Sequence, residues 1–118
     1  MDKKEIKRSY KLKLPDSGIF QIRNLAAGKV YIGRALDLPG KLNSEKFQLK
    51  NNMHGNRELQ GDFNLLGEGQ FSFSVLDRLP PREAPGPNRN QELKELEDKW
   101  LEKLQPFAGK GYNRKQRS

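Results

Sequence analysis

The chain has 118 residues, no cysteine and a formal charge of +8, from 23 Lys and Arg against 15 Asp and Glu. This length fits one domain, and the absence of cysteine excludes a disulfide scaffold, a thiolate zinc site and a thiol nucleophile. No apolar run approaches the ~18 residues of a membrane span and the lysine-rich start lacks a signal peptide's apolar stretch, so we expect a cytoplasmic, nucleoid-associated protein without a membrane partner.

The positive charge lies at the two ends of the chain. Residues 1–13 hold six basic and two acidic side chains, and residues 110–118 hold four basic and no acidic ones, so each end carries +4. Residues 14–109 balance at 13 basic and 13 acidic side chains. We predict a basic flexible arm over 1–13, a single domain over 14–113 and a basic tail over 114–118. Basic ends of this kind give salt-dependent, non-specific affinity for phosphates.

The first half of the chain predicts a hairpin followed by a helix. Two short β-rich runs, residues 17–22 and 29–33, flank a glycine-containing loop, and a β-hairpin is their simplest pairing. Asp37, two residues before a proline, predicts a helix start for about 38–50.

The second half predicts two helices with a strand between them. Apolar residues spaced i, i+4 and i+7 predict a helix over 56–66, and the alternating run FSFSV predicts a strand over 71–75. Four prolines mark 80–90 as a loop, and residues 91–104 have the strongest helix pattern. The order ββααβα predicts an α+β fold, a small three-stranded antiparallel or mixed sheet flanked by helices.

One acidic residue of the last helix lies among its apolar residues. At about 100° per residue, Glu97 falls inside the sector of Leu93 and Trp100, and the four other acidic residues fall outside it. A carboxylate in apolar surroundings needs a pairing partner or a metal. Two interpretations stay open at this point. One is a half-buried ion pair with Lys41 or Arg34, and the other is a single carboxylate that holds a divalent cation together with waters and phosphate oxygens.

These segments in order resemble the GIY-YIG nuclease superfamily. The first motif is represented by GIF at 18–20, and the second is present in full as YIG at 31–33. Glu97 and the run GYN at 111–113 stand where the family has a metal-binding Glu and a late Asn. The stretch 17–67 is similar, without gaps, to the catalytic domain of phage intron-encoded homing endonucleases. The run YIGRALDL resembles the amino-terminal incision domain of bacterial excision repair.

The resemblance implies a DNA endonuclease of DNA repair or of a mobile element. It would hydrolyse phosphodiester bonds with one Mg²⁺ or Mn²⁺ held by Glu97. Tyr31 would accept the proton of the attacking water, directly or through a neighbour, with Lys29, Arg34 and Lys41 as the cations that lower its pKa of about 10. DNA is the implied partner, and a partner protein or a dimer would supply specificity.

The resemblance also implies two sets of site residues. The catalytic set is Tyr31, Arg34, Lys41, Glu97 and Asn113. The nucleic-acid-binding set is Lys29, Arg34, Lys41 and His54.

Each of these residues also has a structural interpretation. Tyr31 would be a packed strand aromatic, Arg34 a solvated charge, and Lys41 an i, i+4 partner of Glu45. Asn113 would be a turn residue, and His54 a solvated loop residue.

Two residues depart from the family pattern. The tyrosine of the first motif is Phe20 here, so one hydroxyl is missing, and Lys41 stands where the family places an arginine. The exchange is not conservative, because Arg offers a planar fork to phosphate and Lys a point charge. Both departures favour the alternative function, a catalytically weak or inactive GIY-YIG-fold nucleic-acid-binding module. A basic ribosome-associated protein is a third interpretation, which leaves Glu97 unexplained.

Overall fold

The computed structural model describes residues 15–80 and 88–114. These residues form β1 Gly18–Asn24, β2 Lys29–Ala35, α1 Leu38–Lys50, α2 Arg57–Leu66, β3 Phe71–Arg78 and α3 Arg89–Leu104. The predicted ββααβα order and the α+β fold class are therefore confirmed. The predicted arm, most of the proline-rich loop and all but the first residue of the predicted tail lie outside the described residues.

The sheet has β1 at its centre, in the order β2-β1-β3. Both neighbours run antiparallel to β1, so the sheet is antiparallel rather than mixed. The predicted hairpin is the β1–β2 pair, whose turn contains Gly28 at φ +72°, a backbone region that glycine adopts without strain. As a consequence of this order, β2 is an edge strand.

Helices cover the two faces of the sheet. Since side chains alternate along a strand, β1 presents Phe20 and Ile22 to one face and Ile19 to the other. The face of Phe20 forms the main core with α1 and α2. The opposite face meets α3, which contacts both β1 and β2. Buried side chains from the helices complete the main core: Leu38, Leu49, Leu59 and Phe63.

Side-chain caps begin the first two helices where the sequence predicts. The carboxylate of Asp37 accepts a hydrogen bond from the backbone N–H of Gly40 at the start of α1, and Asn56 caps α2 in the same way. The third helix is attached to the sheet through Trp100, whose indole N–H donates to Asp77 at 3.0 Å. Within the described ranges, no helix has the length and apolar character needed to cross a bilayer.

Candidate active site

The edge strand β2 carries candidate site residues on both of its faces. Tyr31 projects toward α1 and α2, where it packs against the main core. Arg34 is three residues further on and so projects to the opposite face, toward α3. The candidate site therefore straddles the edge of the sheet.

Glu97 of α3 pairs with Arg34 across this edge. The guanidinium Nη1 lies 2.6 Å from the carboxylate Oε1. The Glu97 side chain is only 13% exposed and that of Arg34 is 44% exposed. The four other acidic residues of α3 are more exposed. The inward position of Glu97 and its need for a partner are thus confirmed, and the partner is Arg34 rather than Lys41.

Tyr31 lies in a pocket of aromatic rings with its hydroxyl open. Its ring centroid is 6.3 Å from that of Phe20 and 5.6 Å from that of His54, the latter in an edge-on arrangement. The hydroxyl has no hydrogen-bond partner among the described residues. No described side-chain oxygen is both buried and unpaired, so this hydroxyl reaches solvent.

The environment of Tyr31 raises its pKa. Burial is the largest cause, followed by the carboxylates of Glu45 and Glu97. We expected cations to lower this pKa, and that expectation is wrong for the described structure. The reason is that Arg34 is engaged by Glu97 and two negative charges act on the phenol. Tyr31 therefore keeps its proton at neutral pH.

Glu45 and His54 form a buried pair beside Tyr31. The carboxylate Oε2 lies 3.0 Å from His54 Nε2, and His54 Nδ1 accepts a hydrogen bond from the backbone N–H of Asn56 at 3.0 Å. Because Nδ1 accepts, the ring proton is on Nε2 and is donated to Glu45. His54 thus holds in place the Glu45 carboxylate, which contributes to the raised pKa of Tyr31.

This placement corrects two expectations for His54. We expected it to contact nucleic acid or to be a solvated loop residue, but its side chain is buried. Its two ring nitrogens are both occupied, by Glu45 and by the loop backbone. His54 acts on the site through its packing against Tyr31 and not by contact with solvent.

Glu45 is the site residue that sequence analysis missed. A pair with Glu45 was the structural interpretation of Lys41, yet Glu45 points into the fold. The signal was present, because Leu38, Leu42 and Leu49 lie at i−7, i−3 and i+4 from Glu45 and define the inward stripe of α1. Lys41 is exposed and has no ion pair or side-chain hydrogen bond with the described residues. Its charge is therefore available to an anionic ligand.

Lys29 belongs to a separate polar network, which is a further correction. We expected it to bind nucleic acid, but its ammonium forms ion pairs with Glu58 and Asp62 and lies 4.4 Å from the centre of the Tyr112 ring. The hydroxyl of Tyr112 donates to Asp62 at 2.7 Å and accepts from Asn24 at 3.0 Å. The two carboxylates neutralise Lys29, so its charge is not free for a phosphate.

Asn113 holds the edge strand next to Tyr31. Its side-chain Oδ1 accepts from the N–H of Ile32 and its Nδ2 donates to the carbonyl of Ile32, both at 2.8 Å. The preceding residue, Tyr112, donates its backbone N–H to Val30. This segment therefore continues the hydrogen bonding of β2 at the open edge. The Asn113 side chain therefore contacts the backbone of the strand that carries Tyr31.

The donor set suits a hard cation held by one protein ligand. Among residues 15–80 and 88–114, no three His, Asp or Glu side chains cluster as a ready cage. Glu97 offers a partly exposed carboxylate beside Arg34 of the edge strand β2. Mg²⁺ and Mn²⁺ accept such a site, because Mg²⁺ in particular keeps several waters and shares phosphate oxygens with one or two carboxylates.

The domain has an intact YIG tyrosine on an edge strand, an inward acid on the last helix and a late Asn against the same edge strand. Together these features define a nuclease-type α+β domain. Family models give no match to the chain. The intron-associated endonuclease 1 of Enterobacteria phage T4 is 33% identical over 97 residues, covering 82% of this chain and 36% of that protein. The chain thus spans about a third of this curated relative's length.

Two solved structures match the whole fold. The catalytic domain of the homing endonuclease I-TevI has a TM-score of 0.69 and 30% identity, over 85% of this chain and 99% of that one. A mutant of the same catalytic domain has a TM-score of 0.68 and 30% identity, over 83% and 92% of the two chains. The chain belongs to the GIY-YIG nuclease superfamily.

Proposed function

We propose that this protein is a metal-dependent DNA endonuclease that hydrolyses phosphodiester bonds with a GIY-YIG-type active site. The observation that carries the proposal is the meeting of Glu97 and Arg34 at the edge strand that bears Tyr31. The matched relatives are named as endonucleases, which supports the same chemistry.

Glu97 is the residue that would hold the divalent cation. When bound, such a cation lowers the pKa of a bound water and neutralises charge on the scissile phosphate. Lys41 and Arg34 bind the phosphate oxygens, Lys41 as a point charge and Arg34 through its planar fork. These three residues fix the phosphate relative to Tyr31.

Tyr31 orients the attacking water through its open hydroxyl. Because the phenol is protonated at neutral pH, it does not act as a tyrosinate base in the described arrangement. The proton of the water needs another acceptor. Glu45 is our candidate for that role, since its carboxylate acts electrostatically on Tyr31 and pairs with His54, whose ring packs against Tyr31. Phe20 supplies packing at this point and no hydroxyl.

A cleavage assay tests the proposal. Supercoiled plasmid and branched DNA are incubated with the protein and Mg²⁺, Mn²⁺ or EDTA, beside the variants Glu97→Gln and Glu102→Gln. Glu102 is an exposed acid of the same helix, so Glu102→Gln removes the same charge without changing the site. We expect metal-dependent nicking by the wild type and by Glu102→Gln, and its loss in Glu97→Gln. Cleavage that survives Glu97→Gln would come from a contaminant and would refute the assignment.

A second candidate function is a nucleic-acid-binding module with little or no activity. It is favoured by Phe20, which lacks the family hydroxyl, and by Lys41 in the place of an arginine. This function predicts no cleavage under any metal but an affinity for DNA that falls steeply with salt. In that case Lys41→Gln reduces the slope of log affinity against log salt by about one, and Lys29→Gln leaves it unchanged.

A further inference from the structure

We infer that Arg34 is a latch on the cation site, which makes binding of a divalent cation at Glu97 conditional on a nucleic-acid phosphate that takes up the guanidinium. This inference rests on the proposed function and adds an order of binding to it. We call the Arg34–Glu97 ion pair the latch.

The latch occupies the carboxylate that the cation needs. Arg34 Nη1 lies 2.6 Å from Glu97 Oε1, a short, charge-assisted contact. A guanidinium on Oε1 repels a cation that approaches the same carboxylate, and the Glu97 side chain is only 13% exposed. A cation that binds at Glu97 therefore competes with the guanidinium.

Arg34 is the more exposed partner of the pair. Its side chain is 44% exposed, and its Glu97 contact is the one ion pair it forms within the described residues. A phosphodiester offers the guanidinium a bidentate partner of at least equal quality. Exposed Lys41, in the first turn of α1, adds a second positive charge that attracts a phosphate. When Arg34 turns to the phosphate, Glu97 is released with its negative charge uncovered.

The consequence is positive coupling between DNA and cation. Without DNA, the latch lowers the affinity of Glu97 for the cation, and without the cation, Glu97 lowers the affinity of Arg34 for phosphate. Thermodynamic linkage requires the two effects to be equal in free energy. A partly exposed ion pair sets the expected size at about fivefold in affinity, or about 1 kcal/mol.

Mn²⁺ binding to the DNA-free protein tests the first half of the latch. Free Mn²⁺ is titrated by electron paramagnetic resonance against the wild type, Arg34→Gln, Glu97→Gln and the control Arg23→Gln. Arg23 is an exposed residue of β1 with no side-chain partner among the described residues. We expect Arg34→Gln to bind Mn²⁺ about fivefold more tightly, Arg23→Gln to match the wild type and Glu97→Gln to lose the site. Unchanged or weaker binding by Arg34→Gln would overturn the inference.

DNA binding in EDTA tests the second half by a double-mutant cycle. The affinity for a short fluorescent duplex is measured for the wild type, Glu97→Gln, Arg34→Gln and the double variant. Glu97→Gln should bind more tightly because it frees Arg34, and the same substitution in the Arg34→Gln background should have only the small effect of Glu102→Gln. An equal gain in both backgrounds would show that only net charge changed, and the latch would be rejected.

The two tests separate the latch from the proposed function. If Glu97→Gln loses Mn²⁺ and cleavage but Arg34→Gln behaves like Arg23→Gln, the endonuclease stands and the latch fails. If Mn²⁺ binding is indifferent to Glu97, the metal assignment of the proposed function fails. The cycle in EDTA then still decides whether Glu97 restrains Arg34.

Discussion

The hydroxyl of Tyr31 lies in the field of two carboxylates, and this determines what the residue can do. Burial and the charges of Glu45 and Glu97 hold its pKa above the ordinary value. The Asn56 N–H donates to His54 Nδ1, so the other ring nitrogen of His54 donates to Glu45 and holds its carboxylate beside Tyr31. The protonation of Tyr31 therefore depends on Glu45 and Glu97, which the fold brings near it from other parts of the sequence.

Removing the charge of Glu45 should lower the pKa of Tyr31. Glu45→Gln keeps the shape of the side chain and can still accept from His54, so the change is mainly electrostatic. We expect ¹³Cζ-labelled tyrosine spectra to show Tyr31 titrating at lower pH in this variant. Glu58→Gln is the matched control, since Glu58 acts on Tyr112 and not on Tyr31. An unchanged Tyr31 titration in Glu45→Gln would contradict the electrostatic account.

We expect Lys41 to limit the rate of cleavage, because its ammonium meets a phosphate as a point charge. Lys41→Arg restores the planar fork that the family pattern has at this position, and the exposed first turn of α1 has room for it. We expect the turnover rate on plasmid DNA to rise several-fold. Lys99→Arg, an exposed exchange on α3, should leave the rate unchanged. A slower Lys41→Arg enzyme would show that the lysine is adapted to this site.

At the scale of elements, the second motif is built into the sheet by close packing. A Cβ on Gly33 would lie 2.5 Å from Cζ of Phe20, whose ring is buried. Strand β2 thus approaches the core only because this position has no side chain. Phe20 and Gly33 share one space, so the two motifs are coupled through packing.

Gly33→Ala should destabilise the protein by about 1–3 kcal/mol, because a buried ring must shift to admit the methyl group. Gly61→Ala is the control. It lies in α2 with nothing near its added Cβ, and should stabilise by up to about 1 kcal/mol. Urea unfolding measures both changes. Equal stabilities for the two variants would mean that Phe20 moves without cost.

We expect the protein not to tolerate a substitution that replaces the amide N–H donor of Asn113 with an acceptor oxygen. Asn113→Asp keeps the hydrogen bond from the Ile32 N–H but turns a carboxylate oxygen toward the Ile32 carbonyl. We expect a loss of about 1–3 kcal/mol in unfolding free energy and lower cleavage activity. Asn88→Asp, which has no side-chain cap bond to lose at the start of α3, should cost nothing. Wild-type stability for Asn113→Asp would show that water replaces the amide.

For the whole molecule, the half-buried phenol of Tyr31 and the buried phenol of Tyr112 link stability to alkaline pH. Burial raises the pKa of Tyr31, and it raises that of Tyr112 as well, with Asp62 and Glu58 adding to the rise and the hydrogen bond from Asn24 opposing it. The unfolded chain loses these protons near pH 10 and the folded chain only at higher pH. Their contribution to stability is therefore complete below pH 10 and is lost as the pH rises further.

Unfolding free energies from pH 8 to pH 11 should fall above pH 10. Tyr112→Phe should fall less steeply over that range, because one of the two linked groups is gone. At pH 8 the same variant should lose about 1–3 kcal/mol, since Asp62 and Asn24 lose a buried partner. A parallel decline in the variant and the wild type would exclude Tyr112 as a source of the pH dependence.

Local patterns predicted the fold and half of the site. β-rich and alternating runs predicted the three strands, Asp37 with the following proline predicted α1, and helical spacing predicted α2 and identified Glu97 of α3 as inward. The same helical spacing also marks Glu45 as inward, because it lies on the face of α1 that carries Leu38 and Leu49. Local spacing could not predict the ion pairs of Lys29, because its partners Glu58 and Asp62 come from α2 and only the packed fold brings them together.

The segment 111–113 lies against the open edge of β2 and so completes the site late in synthesis. A chain that is still being made has Tyr31, Arg34 and Lys41 long before it has Asn113. Until that residue leaves the ribosome, the strand bearing Tyr31 has an unpaired edge. A chain truncated before Asn113 therefore lacks the contacts that hold the edge of β2 beside Tyr31, and such truncated products should be inert toward DNA.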